Sequence, residues 1–262
     1  MAGTGRLGTP AQGDLGPMAC YGTGVAAFPR IDNAKARAIF LDRHGLARVP
    51  SGPGRGGDLQ ELIDGLGFVQ VDSIATVARA HHMILHARRP GYRSRALTLL
   101  HDRDRGVFEH WTHDASLIPM RFFPHWRLKF RRYEEQRAPR WRAWGRRGFE
   151  DKLDVVLHRI AEHGPCSSSD VGEGEERPRG GWWDWHPSKA ALEYLWRTGR
   201  LAVTRRDAAF RKVYDLTENV IPPEHLDPRP SAEETIDWAC GAALDRLGFA
   251  TFFPWVGLIA PS

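Results

Sequence analysis

The sequence predicts a mainly α fold with small β-hairpins (α+β), arranged as tandem helical units, the second of which ends in a basic hairpin. Three observations carry this. Runs near 31–46, 58–66, 153–163 and 187–198 space their apolar residues as helices do and stop at or beside a glycine. Two β-rich runs, "LAVT" and "FRKVYDL", flank the short turn "RRDAA" as in a hairpin. A third strand-like run, "FVQVD" (68–72), lies between helical stretches.

The elements follow in order. Residues 1–30 are glycine-rich, with neither a basic start nor a continuous apolar stretch, which predicts a flexible tail rather than a signal peptide. The first unit spans 31–149. Its opening helix carries Ile31, Ala34, Ala38 and Ile39, with Gly45 as the stop. After the loop "SGPGRGG", Asp58 is the expected N-cap of a helix with Leu59, Leu62, Ile63 and Leu66 on one face. The strand "FVQVD" leads into an expected helix, "SIATVARAHHMILHAR". Residues 97–150 are dense in aromatics and histidine. Between Arg127 and Arg147 nine Arg or Lys stand against two acids. That stretch is either a solvated helix face or a phosphate-tracking surface with Trp126, Trp141 and Trp144 as packing or stacking partners.

The second unit spans 150–226. A helix on Leu153, Val156, Leu157 and Ile160 ends at Gly164-Pro165, and "CSSSDV" reads as a short capped helix start. A strong helix opens at Pro187 and stops at Gly199. The hairpin follows, with Arg205, Arg206, Arg211 and Lys212 at or near its tip. Helix, short helix, helix and basic hairpin is the winged-helix order, whose physics is a helix in a groove and a wing on phosphates. Such units also mediate protein contacts. After the linker 221–230, Ser231 and Glu234 form a capping box on one more helix, and the chain ends in an apolar stretch. Residues 227–262 therefore read as an incomplete third winged-helix unit that buries little surface.

Composition narrows the class. A formal net charge of +5, arginine-rich and clustered, favours an acidic partner, nucleic acid first. The three cysteines lie far apart and form no CxxC pair, which points to a reducing, cytoplasmic interior. No run approaches the roughly 18 apolar residues of a membrane span.

Gln70 and Asp72 are the sharpest candidates. Spacing of two on an extended segment turns both side chains to one face. Asp72 or Ser73 could simply cap the next helix. That does not account for Gln70, and an acid beside an amide on one face is an arrangement catalysis can use.

Four blocks now carry a resemblance: "FVQVDSI…RAHH", "FEHWTHDASLIP", "PSKAALEYLWRTGRL" and "KVYDLTE.VIP". Over roughly residues 31 to 250 the chain resembles the winged-helix DNA glycosylases of the YcaQ/AlkZ type. Family members combine tandem winged-helix units with a β-barrel and remove alkylated bases, including those in interstrand crosslinks. Their motif is Gln-x-Gln in one branch and Gln-x-Asp in the other, so Gln70-Val71-Asp72 resembles the crosslink-unhooking branch. The resemblance implies that Asp72 stabilises the oxocarbenium-like sugar and activates water, while Gln70 orients the water or sugar. It implies no cofactor. No lysine stands near the motif in sequence, which favours monofunctional hydrolysis.

The expected DNA contacts are Arg205, Arg206, Arg211, Lys212, Arg131 and Arg132, and the expected substrate-pocket residues are His81, His82 and His113. Adjacent histidines diverge by about 100° on a helix, so His81 and His82 do not make a zinc pair. His110 and His113 have no Cys or acid completing a ligand set, and no metal is expected. Trp182, Trp183 and Trp185 read as a seam between units. The expected partner is double-stranded DNA with alkylated bases, bound by a monomer in the cytoplasm, on the nucleoid. The rival from another class is a winged-helix DNA-binding regulator without enzymatic activity.

Overall fold

A computed structural model describes residues 30–143, 148–172, 175 and 186–250, the side chains of 137–143 excepted. The expectations for the tail before Arg30, for the Trp141 side chain, for Trp144, Trp182, Trp183 and Trp185, and for the apolar stretch at the end of the chain lie outside what is described.

Helix α1 (Asn33–Arg43) starts at Asp32, whose carboxylate accepts the Lys35 amide. Helix α2 (Gly56–Leu66) buries Leu59 and Ile63 and stops at Gly67. At φ 83°, Gly67 holds a left-handed conformation, and a Cβ there would run into the Arg246 guanidinium. Strand β1 (Val69–Gln70), helices α3 (Ala80–His86) and α4 (Ser94–Asp102), and strands β2 (Val107–Trp111) and β3 (Ala115–Pro119) follow. β1 pairs antiparallel with β3, giving a sheet ordered β1-β3-β2.

The long helix α5 (Phe123–Ala143) leads to α6 (Leu153–His163), β4 (Cys166–Ser167), α7 (Pro187–Arg197), β5 (Leu201–Arg206) and β6 (Lys212–Leu216). This second sheet is ordered β4-β6-β5, again with its first strand on its last. The chain is thus mainly α with two small antiparallel sheets of matching order. Short helices α8 (Thr217–Val220) and α9 (Pro223–Leu226) precede α10 (Ala232–Leu247).

Each sheet has its own core. Leu59, Ile63, Val69, Leu85, Leu100 and Val107 pack under the first, and Val156, Ile160, Leu192, Trp196, Leu201 and Val203 under the second. A third cluster joins them, with Phe108 and Ile118 from the first hairpin, Phe123 and Phe130 from α5, and Ala202 from β5. The seam is also hydrogen-bonded. Trp196 Nε1 donates to the Glu109 carbonyl at 3.1 Å, and His110 Nε2 meets the Trp196 carbonyl at 3.1 Å. Trp126 Nε1 donates to His110 Nδ1, so the proton sits on Nε2. Burial holds His110 well below the usual histidine pKa.

Several elements differ from the sequence reading, each for a local reason. Helix α2 begins at Gly56, so Asp58 is not its cap. Its carboxylate instead accepts the Gly54 amide and the Arg89 guanidinium, each at 2.7 Å. The helix expected from Ser73 begins only at Ala80. Asp72 Oδ1 takes the Ile74 amide at 2.9 Å in a local turn, and Ala75 bridges back to Arg79. Ile74, Thr76 and Val77 are also β-branched, so the run has little reason to stay helical. "CSSSDV" forms β4 and a turn, with Asp170 accepting from both the Ser167 amide and hydroxyl. The hairpin at 107–119 was hidden because its strands are buried along nearly their whole length and show no alternation.

The capping box on α10 forms as the sequence implies. The helix is docked rather than loose. Trp238 stacks flat on His125 with ring centres 4.0 Å apart, and Arg246 Nη2 donates to the Asp64 carbonyl. A Cβ on Gly248 would strike Ile39, so the end of α10 closes against α1.

Candidate active site

The site is built where β1 ends. Val71 N donates to the Ala115 carbonyl at 2.7 Å, extending the pairing one residue past the strand. Val69 and Val71 are buried, and alternation turns Gln70 and Asp72, both half-buried, to the other face. The amide and the acid do not bond to each other. Gln70 Oε1 meets His113 Nε2 at 3.2 Å, and Gln70 Nε2 reaches Asp114 Oδ2 at 3.4 Å. His113 and Asp114 form the tip of the first hairpin, so that tip orients the Gln70 amide. Asp114 stands inside the block "FEHWTHDASLIP" with no signal of its own; only the pairing of β1 with β3 brings it to Gln70.

Asp72 is fixed at two points. Its Oδ1 accepts the Ile74 amide, and its backbone N–H donates to His81 Nδ1 at 3.3 Å. Among the described residues nothing bonds its Oδ2. His81 must therefore carry its proton on Nε2. Burial first, then His82, Arg79 and Arg206, push the His81 pKa down to about 3, so the ring is neutral. His82 is lowered as well, by burial and Arg79, and its Nδ1 lies 2.7 Å from the Tyr92 hydroxyl.

On the Val71 side of the strand lies a cavity of about 280 Å³, lined among others by Val71, Arg79, His81, His101, Glu109 and Phe210. That is just under the roughly 300–1,000 Å³ of small-molecule pockets. His81 is the bridge, touching Asp72 and lining the cavity. The expected pocket trio is therefore divided. His81 and His82 line the cavity, whereas His113 stands across the strand beside Gln70.

The second hairpin supplies the far wall. Phe210 adopts φ 64°, strained for a non-glycine residue. Its ring lies parallel to His81, with Arg79 and Arg206 guanidinium carbons 3.9 and 4.4 Å from its centre. Arg206 forks onto Glu109 at 2.6 and 2.9 Å, and the Glu109 side chain is 1% exposed. Glu109 and Phe210 carry no signal in sequence, because an acid in a strand and an aromatic in a turn look unexceptional.

The cations sort differently from their sequence pattern. The sequence places Arg206 and Lys212 on phosphates, whereas the structure binds both to buried carboxylates. Lys212 Nζ meets Glu193 at 2.5 Å and lies 3.6 Å from the Trp196 ring centre. Strand alternation turns these two inward. Arg205 and Arg131 are exposed, Arg211 is exposed but paired with Asp207 at 2.7 Å, and Arg132 is half-buried. A basic groove not foreseen in sequence runs between the 53–56 loop and α4, lined by Arg55, Arg93, Arg95 and Arg103 with one acid, Asp104. Its arginines come from "PGRGG", "GYRSRA" and "HDRDRG", too short or too mixed in sign to stand out as charge runs.

Lys129 is held against the first hairpin. Its ammonium donates to the carbonyls of Trp111 and Thr112 at 2.7 and 3.3 Å, behind the hairpin tip. Burial, then Arg197, lowers its pKa to about 8. Among the described residues no group of three or more His, Cys, Asp or Glu is placed to hold a metal. No helix among them is long and apolar enough to cross a membrane.

The family model described as DNA glycosylase AlkZ-like matches residues 63–252, which include Gln70, Asp72, the hairpin tip, the cavity and α10. No solved structure matches the chain. With nearly three-quarters of its length matched, including Gln70, Asp72 and the cavity, the chain belongs to the AlkZ-like DNA glycosylase family.

Proposed function

We propose that this chain is a DNA repair enzyme that hydrolyses the N-glycosidic bond of alkylated purines in duplex DNA, with interstrand crosslinks among its substrates. The observation that carries this is Asp72. Its Oδ1 and backbone N–H are tied down, while Oδ2 has no partner among the described residues. A carboxylate so held is preorganised to meet positive charge that appears only as the bond breaks.

The reaction balances simply. An N-alkylated purine already carries positive charge, so the C1′–N bond breaks with its electron pair moving to the base, which leaves neutral. Asp72 stabilises the oxocarbenium-like sugar. Water then bonds to C1′ and gives its proton to Asp72. Gln70, steered by His113 and Asp114, orients the water or the sugar. Two winged-helix units, 31–149 and 150–226, with 227–262 as an incomplete third, would hold the duplex. The repeated strand order supports that division. Monofunctional hydrolysis fits Lys129, whose ammonium is engaged by two carbonyls. The protein acts as a monomer, without a cofactor.

The test is Asp72→Asn. The amide oxygen still accepts the Ile74 N–H, so the turn survives and only the charge and the base are lost. Single-turnover release of N7-alkylguanine should fall by about 10²–10³-fold, with the duplex dissociation constant nearly unchanged. Gln70→Ala should cost less. Wild-type release rates in Asp72→Asn would reduce Asp72 to a turn-former and leave a DNA-binding regulator as the better reading.

A further inference from the structure

The loop 73–78, directly after Asp72, exposes two branched apolar side chains. Ile74 is 69% exposed and Val77 is 94% exposed. A single exposed aliphatic means little. Two within five residues, beginning two positions from the catalytic carboxylate, call for an occupant.

The loop is shaped rather than slack. Its entry is pinned by the Asp72 Oδ1 to Ile74 N–H bond, its exit by the Ala75–Arg79 bridge, and its base by the Asp72 N–H on His81. Residues 73–78 hold no charge at all. Next comes Arg79, which forms no ion pair among the described residues; its Nε is buried without a hydrogen-bond partner and its guanidinium lies over Phe210. The nearby Arg206 is paired with Glu109, so Arg79 is the cation beside the loop that has no ion-pair partner among the described residues. A rigid apolar tip next to an unpaired cation and free of acids is complementary to one surface above others: stacked bases edged by phosphates.

We propose that loop 73–78 is a wedge, with Ile74 and Val77 entering the base stack beside the nucleotide presented to Asp72 and Arg79 meeting the adjoining phosphate. The proposal rests on the glycosylase reading and deepens it. Asp72 is half-buried at the foot of the loop, and a C1′ inside a stacked duplex does not come within reach of it unless the stack opens. Apolar side chains inserted at a base step unstack it, at a cost that the inserted surface offsets. Ile74 and Val77 are positioning residues, acting on the DNA rather than on the bond.

The experiment places 2-aminopurine next to an N7-alkylguanine in a duplex and reads its fluorescence at saturating protein, for wild type and for Val77→Ala and Ile74→Ala/Val77→Ala. Wild-type binding should raise the fluorescence several-fold as the step unstacks. The double variant should lose most of that rise, yet keep the salt dependence of binding, since no cation is removed. A second readout is the ratio of single-turnover release from the duplex to release from the same lesion in a single strand. It should fall by roughly 10- to 100-fold in the double variant, the rate equivalent of part of the unstacking energy. A structural fault would lower both rates together. Equal fluorescence in wild type and variants, or no rise in wild type, overturns the wedge. If wild type releases no base from either substrate, the catalytic reading fails, and the fluorescence still decides whether the loop opens the stack.

Discussion

Replacing Arg206 separates a DNA contact from a clamp inside the protein. From sequence it sits at the tip of a basic hairpin. In the structure it forks onto Glu109 and donates a third bond to the Phe210 carbonyl at 2.7 Å. Glu109 is nearly sealed, at 1% exposure, and Arg206 is 18% exposed. At an effective dielectric near 20, two unit charges at about 4 Å attract by roughly 4 kcal/mol. Removing one partner of a buried pair typically costs about 3–5 kcal/mol, because the other charge is left without compensation. Arg206→Met should therefore lower stability by about 3–5 kcal/mol, or roughly 6–20 °C in Tm for a chain of this size. Glu109→Leu/Arg206→Leu should recover much of the loss, since no charge stays behind. Thermal unfolding followed by circular dichroism reads both. A drop below about 2 °C, joined by a decrease near 0.9 in the log–log salt slope of duplex binding, would refute the clamp and return Arg206 to the phosphates.

Three further outcomes follow from the same geometry. Arg205→Ala/Arg131→Ala should reduce the salt slope by about 0.9 for each phosphate no longer neutralised, whereas Lys212→Met, which takes the nearest cation from buried Glu193, should lower stability and leave the slope alone; duplex titrations at several salt concentrations separate the two. The His81 pKa of about 3 lies below its unfolded value near 6.5, so between these limits the unfolded chain binds more protons and stability rises with pH. Lowered values at His82, His110 and His125 act in the same direction, and the depressed Glu175 and Glu193 matter only below about pH 4.5. The urea midpoint should thus fall from pH 7 to pH 5, and less so in His81→Gln. Borohydride added during turnover should trap no protein–DNA adduct; a trapped adduct abolished by Lys129→Ala would replace hydrolysis with amine chemistry.

The parts of the fold legible in sequence are those governed by local rules. The capping box at Ser231, the Pro187 start and Gly199 stop of α7, and the hairpin after Leu201 are all written in a few neighbouring residues. Gln70 and Asp72 share a face because alternation is local too. Features set by long-range pairing were not legible. Asp114 reaches Gln70 across 44 residues, and Glu109 reaches Arg206 across 97. The basic hairpin shows why a charge count misleads: alternation sends Arg205 to solvent, while Arg206 and Lys212 turn inward to acids that lie elsewhere in the chain. The false helix at 73–79 has the opposite cause. Its position before a helical run suggests a helix, but its β-branched residues favour one only weakly and the Asp72 carboxylate takes the Ile74 amide first.

The cavity beside His81 has walls from two separate stretches of chain, α3, α4 and β2 on one side and the loop after β5 on the other. Its volume therefore exists only while the two sheets stay docked. A molecule that settles there binds the docked form alone, so occupancy and docking must strengthen each other by equal amounts of free energy. A ligand at 100 times its dissociation constant would add about 2.7 kcal/mol to that docking. By the same reciprocity the Glu109–Arg206 clamp is a control on affinity: weakening it loosens the grip on whatever the cavity holds.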